Sequence, residues 1–225
     1  ELGAEVRGRL QAAHEARETA LPACREAIRC SSLAIRAEHR DEPAEAARQR
    51  GAAEAALRRA QAALADHPQL AAVGFLHDAE KEVVEAHVLP VLLHGGVLPS
   101  AADLAVAPAA WLHGLAEAAS EVRRYLLDRL RSGQGDEAEA LLGTMEAVYD
   151  LLVTVDFPDA LTAGLRRVTD GLRAVLERTR GDLTTTVAQL RLQAALERAR
   201  GEPQGLTRPV QGAGGPGYPR GDPGV

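Results

Sequence analysis

The chain has 225 residues, enough for one sizeable domain with its own core. With 46% apolar but only 3% aromatic residues, that core must be built from small and aliphatic side chains on good helix formers, which predicts an all-α fold. A formal net charge of -6 excludes a nucleic-acid coat that works by overall attraction, so any such contact has to come from a local Arg patch.

Residues 2–40 read as a long helix, with Ala20, Leu21, Cys24, Ile28, Leu33 and Ile35 at spacings of three and four; Pro22 is expected to kink or restart it. HRDEP (39–43) is a turn, and Pro43 opens a second helix through Ala47, Ala55, Leu57 and Leu64 to a stop at DHP (66–68). A third helix is expected over about 68–93, ended by HGG (94–96). SAAD (100–103) has the form of a capping box around a short helix. Pro108 then opens a helix to about Arg131, SGQGDE (132–137) is a loop, and Ala140, Leu141, Met145, Val148, Leu151 and Leu152 carry another helix to DFPD (156–159).

From Asp159 to Arg200 there is no proline, and Leu161, Leu165, Val168, Leu172, Val175, Thr179, Leu183, Val187 and Leu190 form a near-heptad stripe. Unless Gly181 divides it, the helix would be roughly 60 Å long, which suggests packing against another copy of the chain. Residues 1–200 are read as one helical domain and 201–225, rich in Gly and Pro, as a disordered tail. No apolar run reaches the ~18 residues of a membrane span, and ELGAEVRGRL (1–10) is neither a signal nor a transit peptide, so a cytoplasmic protein is expected. Cys24 and Cys30 have no companion at metal-ligand spacing and read as buried free thiols.

The chemistry-bearing pattern is a double pair of carboxylates. Glu82 and Glu85 are three apart in GFLHDAEKEVVEAHVLP (74–90), and Glu117 and Glu121 are four apart in WLHGLAEAASEVRRY (111–125), so each pair shares a helix face. A short connection between the two helices would make them antiparallel neighbours and let the four side chains converge. Converging carboxylates repel one another, which calls for a divalent cation or partial protonation, and an all-oxygen set suits Mg²⁺ or Mn²⁺. Such a site could activate water against a phosphodiester. Pairs at these spacings also arise by chance on a Glu-rich helical chain. Gly114 argues for a close helix–helix approach, because Gly in a helix costs about 1 kcal/mol relative to Ala. Glu80 reads as surface charge, and His87 and His113 as structural or surface histidines, although His113 lies four before Glu117. Arg residues gather in RRYLLDRLR (123–131), with Arg123 and Arg124, and on the last helix, with Arg166 and Arg167; they could hold phosphates or form a solvated, ion-paired face.

Taken in order, CREAIRCSSLAIRAEHR (24–40), KEVVEA (81–86), WLHGLAEAASEVRR (111–124) and VYDLLVTVDFPDALTAGLRRVTDGLRAVLERTRGDLT (148–184) resemble the translin and translin-associated factor X family, the last stretch most resembling prokaryotic members. The resemblance implies about seven helices and a hollow homo-oligomeric shell, roughly octameric, that binds single-stranded RNA or DNA. It also implies, at the positions of Glu82, Glu85, Glu117 and Glu121, the Mg²⁺-dependent endoribonuclease site of the translin-associated factor X branch. The base-poor AAVGFLHDAE (71–80) places the chain nearer that branch than the translin branch, whereas Val83 stands where an aromatic is usual and Glu117 where Asp is usual.

The expectation is therefore a metal-dependent endoribonuclease on single-stranded or structured RNA, with Glu82, Glu85, Glu117 and Glu121 as metal-binding and catalytic residues and Arg123, Arg124, Arg166 and Arg167 on the nucleic acid. A non-catalytic RNA- or DNA-binding oligomer is the chief alternative. An all-α nucleotide pyrophosphohydrolase and a ligand-free helical scaffold are more distant ones.

Overall fold

The computed structural model describes residues 2–201, so residues 202–225 of the expected tail lie outside the described residues. The described residues form helices without strands: α1 (Leu2–His39), α2 (Pro43–Leu64), α3 (Pro68–Ala71), α4 (Phe75–His94), α5 (Pro108–Arg131), α6 (Gly135–Val153), α7 (Asp159–Thr162) and α8 (Leu165–Gly201). None of them is long and apolar enough to cross a membrane.

The long first helix forms as its spacing predicts, and α1 continues through Pro22 without restarting. Its inner face is Ala23, Cys24, Ala27, Cys30, Ser31, Ala34 and Ala37, small side chains that let α2 approach with Ala46, Ala53, Ala56 and Ala60. Cys24 and Cys30 are free and buried in this seam. Ion pairs from Arg59 to Glu26 (2.6 Å) and from Arg50 to Glu38 (3.2 Å) fix α1 and α2 as an antiparallel hairpin.

Two predicted helices are each divided. The span 68–93 breaks after Ala71, because Gly74 takes a positive φ of 46°, and α4 starts only at Phe75. The last helix starts late: Ala163 (φ 52°) and Gly164 (φ 83°) separate α7 from α8, whereas Gly181 is passed without a break. At SAAD the reciprocal capping bonds form, Ser100 N–H to Asp103 Oδ2 (2.9 Å) and Asp103 N–H to Ser100 Oγ (3.1 Å), but they close a turn rather than a helix.

The path between α4 and α5 differs most from expectation. Glu80 meets Ala107, Lys81 meets Glu117, and Leu92 and His94 share a cavity with Tyr125 and Arg129, so contacts advance together along both helices. The helices are parallel, not antiparallel. The thirteen residues 95–107 make this possible by running back along α4, a return of about 20 Å that extended chain spans easily.

Residues 2–188 form one compact unit. Its core holds Leu57, Val83, Val84, Val88, Leu89, Leu115, Val122, Leu126, Met145, Leu152 and Leu172, all at most 2% exposed. The near-heptad stripe of α8 is buried at Leu165, Leu172, Thr179 and Leu183 and partly buried at Val168, Val175 and Val187 within this same unit, so the chain's own helices cover it that far. The second unit begins at Gln189; there α8 continues to Gly201 with Leu192 and Leu196 exposed.

Candidate metal centre

The site is built where α4 and α5 come closest, and Gly114 is the reason they can. A Cβ at this position would lie 2.5 Å from the Lys81 carbonyl oxygen and 2.6 Å from Val84 Cβ, well inside van der Waals contact. With backbone nearly touching backbone, side chains one turn further along both helices must meet.

They do meet: Glu82, Glu85 and Glu117 each offer a carboxylate oxygen, and the three oxygens lie within 4.8 Å of one another. All three side chains are half-buried. Burial raises the Glu85 carboxyl to about 8, with the charges of Glu82, Glu117 and Glu121 adding to the effect. Glu82 is also raised, first by burial and then by Glu117 and Asp78, against the opposing pull of Lys81. With Mg–O bonds of about 2.1 Å, neighbouring ligand oxygens stand about 3 Å apart, so the three carboxylates would have to draw somewhat closer to hold such an ion together. Their hard oxygens fit Mg²⁺ or Mn²⁺ rather than a soft metal.

Glu121 faces the same cluster but is engaged elsewhere. One of its oxygens accepts a hydrogen bond from His39 Nε2, at the last residue of α1, and the His39 ring is itself stacked on Tyr125 at 4.8 Å. The geometry therefore gathers three of the four predicted glutamates and sets the fourth beside them on a histidine.

Two residues that the sequence reading did not place in the site belong to it. Lys81 Nζ donates to both oxygens of Glu117, each at 2.8 Å, and lies 3.6 Å from Glu82. Burial alone would lower its pKa, but the hydrogen bonds to Glu117 and the charges of Glu117, Glu82 and Asp78 outweigh that and raise it. His39, with a side chain 5% exposed, is the other. The available signals were that Lys81 is the only lysine in the chain and that His39 lies within a stretch of family resemblance, one residue before its end.

Glu80 corrects the surface-charge reading. It is buried, accepts from Gln61 Nε2 (3.1 Å) and the Ala107 backbone N–H (3.2 Å), and so ties the returning connection to α4 just before α5 begins. His113 does not join the site; it donates to the Thr162 carbonyl (2.9 Å) and steadies the end of α7. His87 contacts Glu54 Oε1 (2.7 Å) on α2.

Of the arginines, Arg123 is committed inside the fold, donating to Thr179 Oγ1 (2.9 Å) and Asp182 Oδ2 (2.6 Å) across α5 and α8. Arg166 is 82% exposed with Asp156 at 3.8 Å. Arg124 and Arg167 are exposed and have no ion-pair partner among the described residues.

No protein-family model matches the chain. It is 32% identical over 136 residues to an uncharacterised protein of Methanocaldococcus jannaschii, a match spanning 60% of each chain. The complex of AfC3PO with duplex RNA matches at 33% identity and a TM-score of 0.75, covering 84% of this chain and 98% of that one. A crystal structure of AfC3PO matches at 32% identity and 0.76, with the same coverage. That of apo-NeC3PO, 17% identical with a TM-score of 0.72 over 83% of this chain and 97% of its own, shares the fold. With a third of its residues identical across nearly the whole of AfC3PO, and with the ordered motifs borne on the same helical fold, the chain belongs to the translin and translin-associated factor X family.

Proposed function

We propose that the protein is a cytoplasmic, metal-dependent endoribonuclease acting on single-stranded or structured RNA within a homo-oligomeric shell. The observation that carries this reading is the convergence of Glu82, Glu85 and Glu117 to within 4.8 Å in a half-buried site, whose mutual repulsion Lys81 offsets only in part, since the Glu85 carboxyl is still raised to about 8. A bound Mg²⁺ or Mn²⁺ would supply Lewis acidity and lower the pKa of a coordinated water. Glu82, Glu85 and Glu117 would hold the ion. Glu121, oriented by His39, is the carboxylate left to accept a proton from the attacking water. The RNA bound by AfC3PO supports the choice of substrate, and exposed Arg124, Arg166 and Arg167 offer phosphate contacts.

The test is incubation of the purified protein with labelled RNA and Mg²⁺ or Mn²⁺. Cleavage that is lost in Glu85→Gln is expected; cleavage indifferent to that substitution would refute the assignment. A second reading, a non-catalytic oligomer that binds single-stranded RNA or DNA, draws on the Lys81 ammonium, which already partly neutralises Glu117. Salt-sensitive gel shifts without cleavage in either metal would favour it.

A further inference from the structure

All positive side chains of this protein are Arg except one, and that one lies inside the carboxylate cluster. Lys81 donates to both oxygens of Glu117 at 2.8 Å and stands 3.6 Å from Glu82, with its side chain 19% exposed. Its backbone is pinned, because its carbonyl abuts Gly114 where no Cβ could fit. Its four-carbon stem has rotatable bonds, and an ammonium is a compact charge held by rotatable donors rather than by a rigid planar fork.

A dication ligated by Glu117 would lie within about 5 Å of Nζ as it now stands, the sum of a metal–oxygen bond of ~2.1 Å and the present hydrogen bond. The two cations repel at that distance in a half-buried site. We propose that Lys81 is the resident counter-ion of the cluster and competes with the divalent cation for Glu117, so that it sets the metal concentration at which the site fills. The proposal rests on the metal-binding reading of Glu82, Glu85 and Glu117. Lys81 holds the carboxylates together when no ion is bound and swings away on its stem when one arrives.

Calorimetric titration of Mn²⁺ into the full chain tests this with wild type, Lys81→Met and Lys81→Arg, each first checked for helicity by circular dichroism; Lys81→Gln replaces Lys81→Met if the latter fails to fold. Removal of the charge is expected to tighten Mn²⁺ about tenfold, whereas Lys81→Arg stays within about threefold of wild type. Unchanged or weaker Mn²⁺ binding in Lys81→Met would overturn the competition, as would equal tightening in Lys81→Arg. Unchanged Mn²⁺ affinity with weakened RNA binding would overturn it in favour of a phosphate contact. Wild type and Lys81→Met both failing to take up Mn²⁺ would overturn the metal-binding reading itself, and the proposal with it.

Discussion

Gly114→Ala sets two effects of opposite sign against each other. Helix propensity alone predicts that Ala stabilises α5 by about 1 kcal/mol. The new methyl, however, would lie 2.5 Å from the Lys81 carbonyl and 2.6 Å from Val84 Cβ, where contacts of about 3.5–4.0 Å are normal. Both obstacles are main chain or the root of a β-branched side chain, so no rotamer change relieves them and α4 must retreat by about 1 Å. Overpacking of this kind costs roughly 1–3 kcal/mol, more when backbone has to move, and it exceeds the propensity gain. The expected net loss is about 1–2 kcal/mol, or a fall in Tm of about 2–8 °C for a chain of this size. Thermal unfolding by circular dichroism in EDTA measures it, and a Mn²⁺ titration should weaken in parallel as Glu82 and Glu85 draw back from Glu117. A variant more stable than wild type by the propensity increment would refute the argument that a backbone contact brings the two carboxylate pairs together.

Glu85 gives a pH dependence. Its carboxyl titrates near 8 when folded and about 4.3 when unfolded, so between these values the folded, metal-free protein binds a proton that the unfolded chain does not. Stability should therefore fall as pH rises through that window, with the full cost present above about pH 8; urea unfolding in EDTA at pH 5 and pH 8.5 should show a smaller difference in Glu85→Gln. His39→Ala removes the donor to Glu121 and the ring stacked on Tyr125, and should cost about 1–3 kcal/mol in chemical denaturation while weakening RNA cleavage more than Mn²⁺ binding. Arg123→Ala should destabilise by about 1–2 kcal/mol through loss of Thr179 and Asp182, whereas Arg124→Ala should leave Tm unchanged and reduce the salt dependence of RNA binding.

Local signals along the chain carry over into the structure because their causes are local. Pro43 and Pro108 open helices since a missing N–H costs nothing in a first turn, and the Pro108–Arg131 helix has the predicted bounds. The i,i+3 and i,i+4 spacings fix which glutamates share a face, and the cost of Gly within α5 points to a close approach, which the structure has where Gly114 meets Lys81 and Val84. The breaks at Gly74 and Ala163 are not legible in the periodicity, since they lie in the left-handed backbone, φ 46° and 52°, which apolar spacing does not report.

By itself, then, the sequence determined the helical class, the faces of the two carboxylate pairs and, through motifs in family order, the family. Tertiary structure decided what surrounds those faces. The returning segment 95–107 makes α4 and α5 parallel, Glu80 anchors that return from inside the protein, Arg123 is spent on α8, and Lys81 and His39 take Glu117 and Glu121 as partners. None of this follows from spacing along one helix, because which charge neutralises which depends on approaches between residues as far apart in sequence as His39 and Glu121, and those are set by the path of the whole chain.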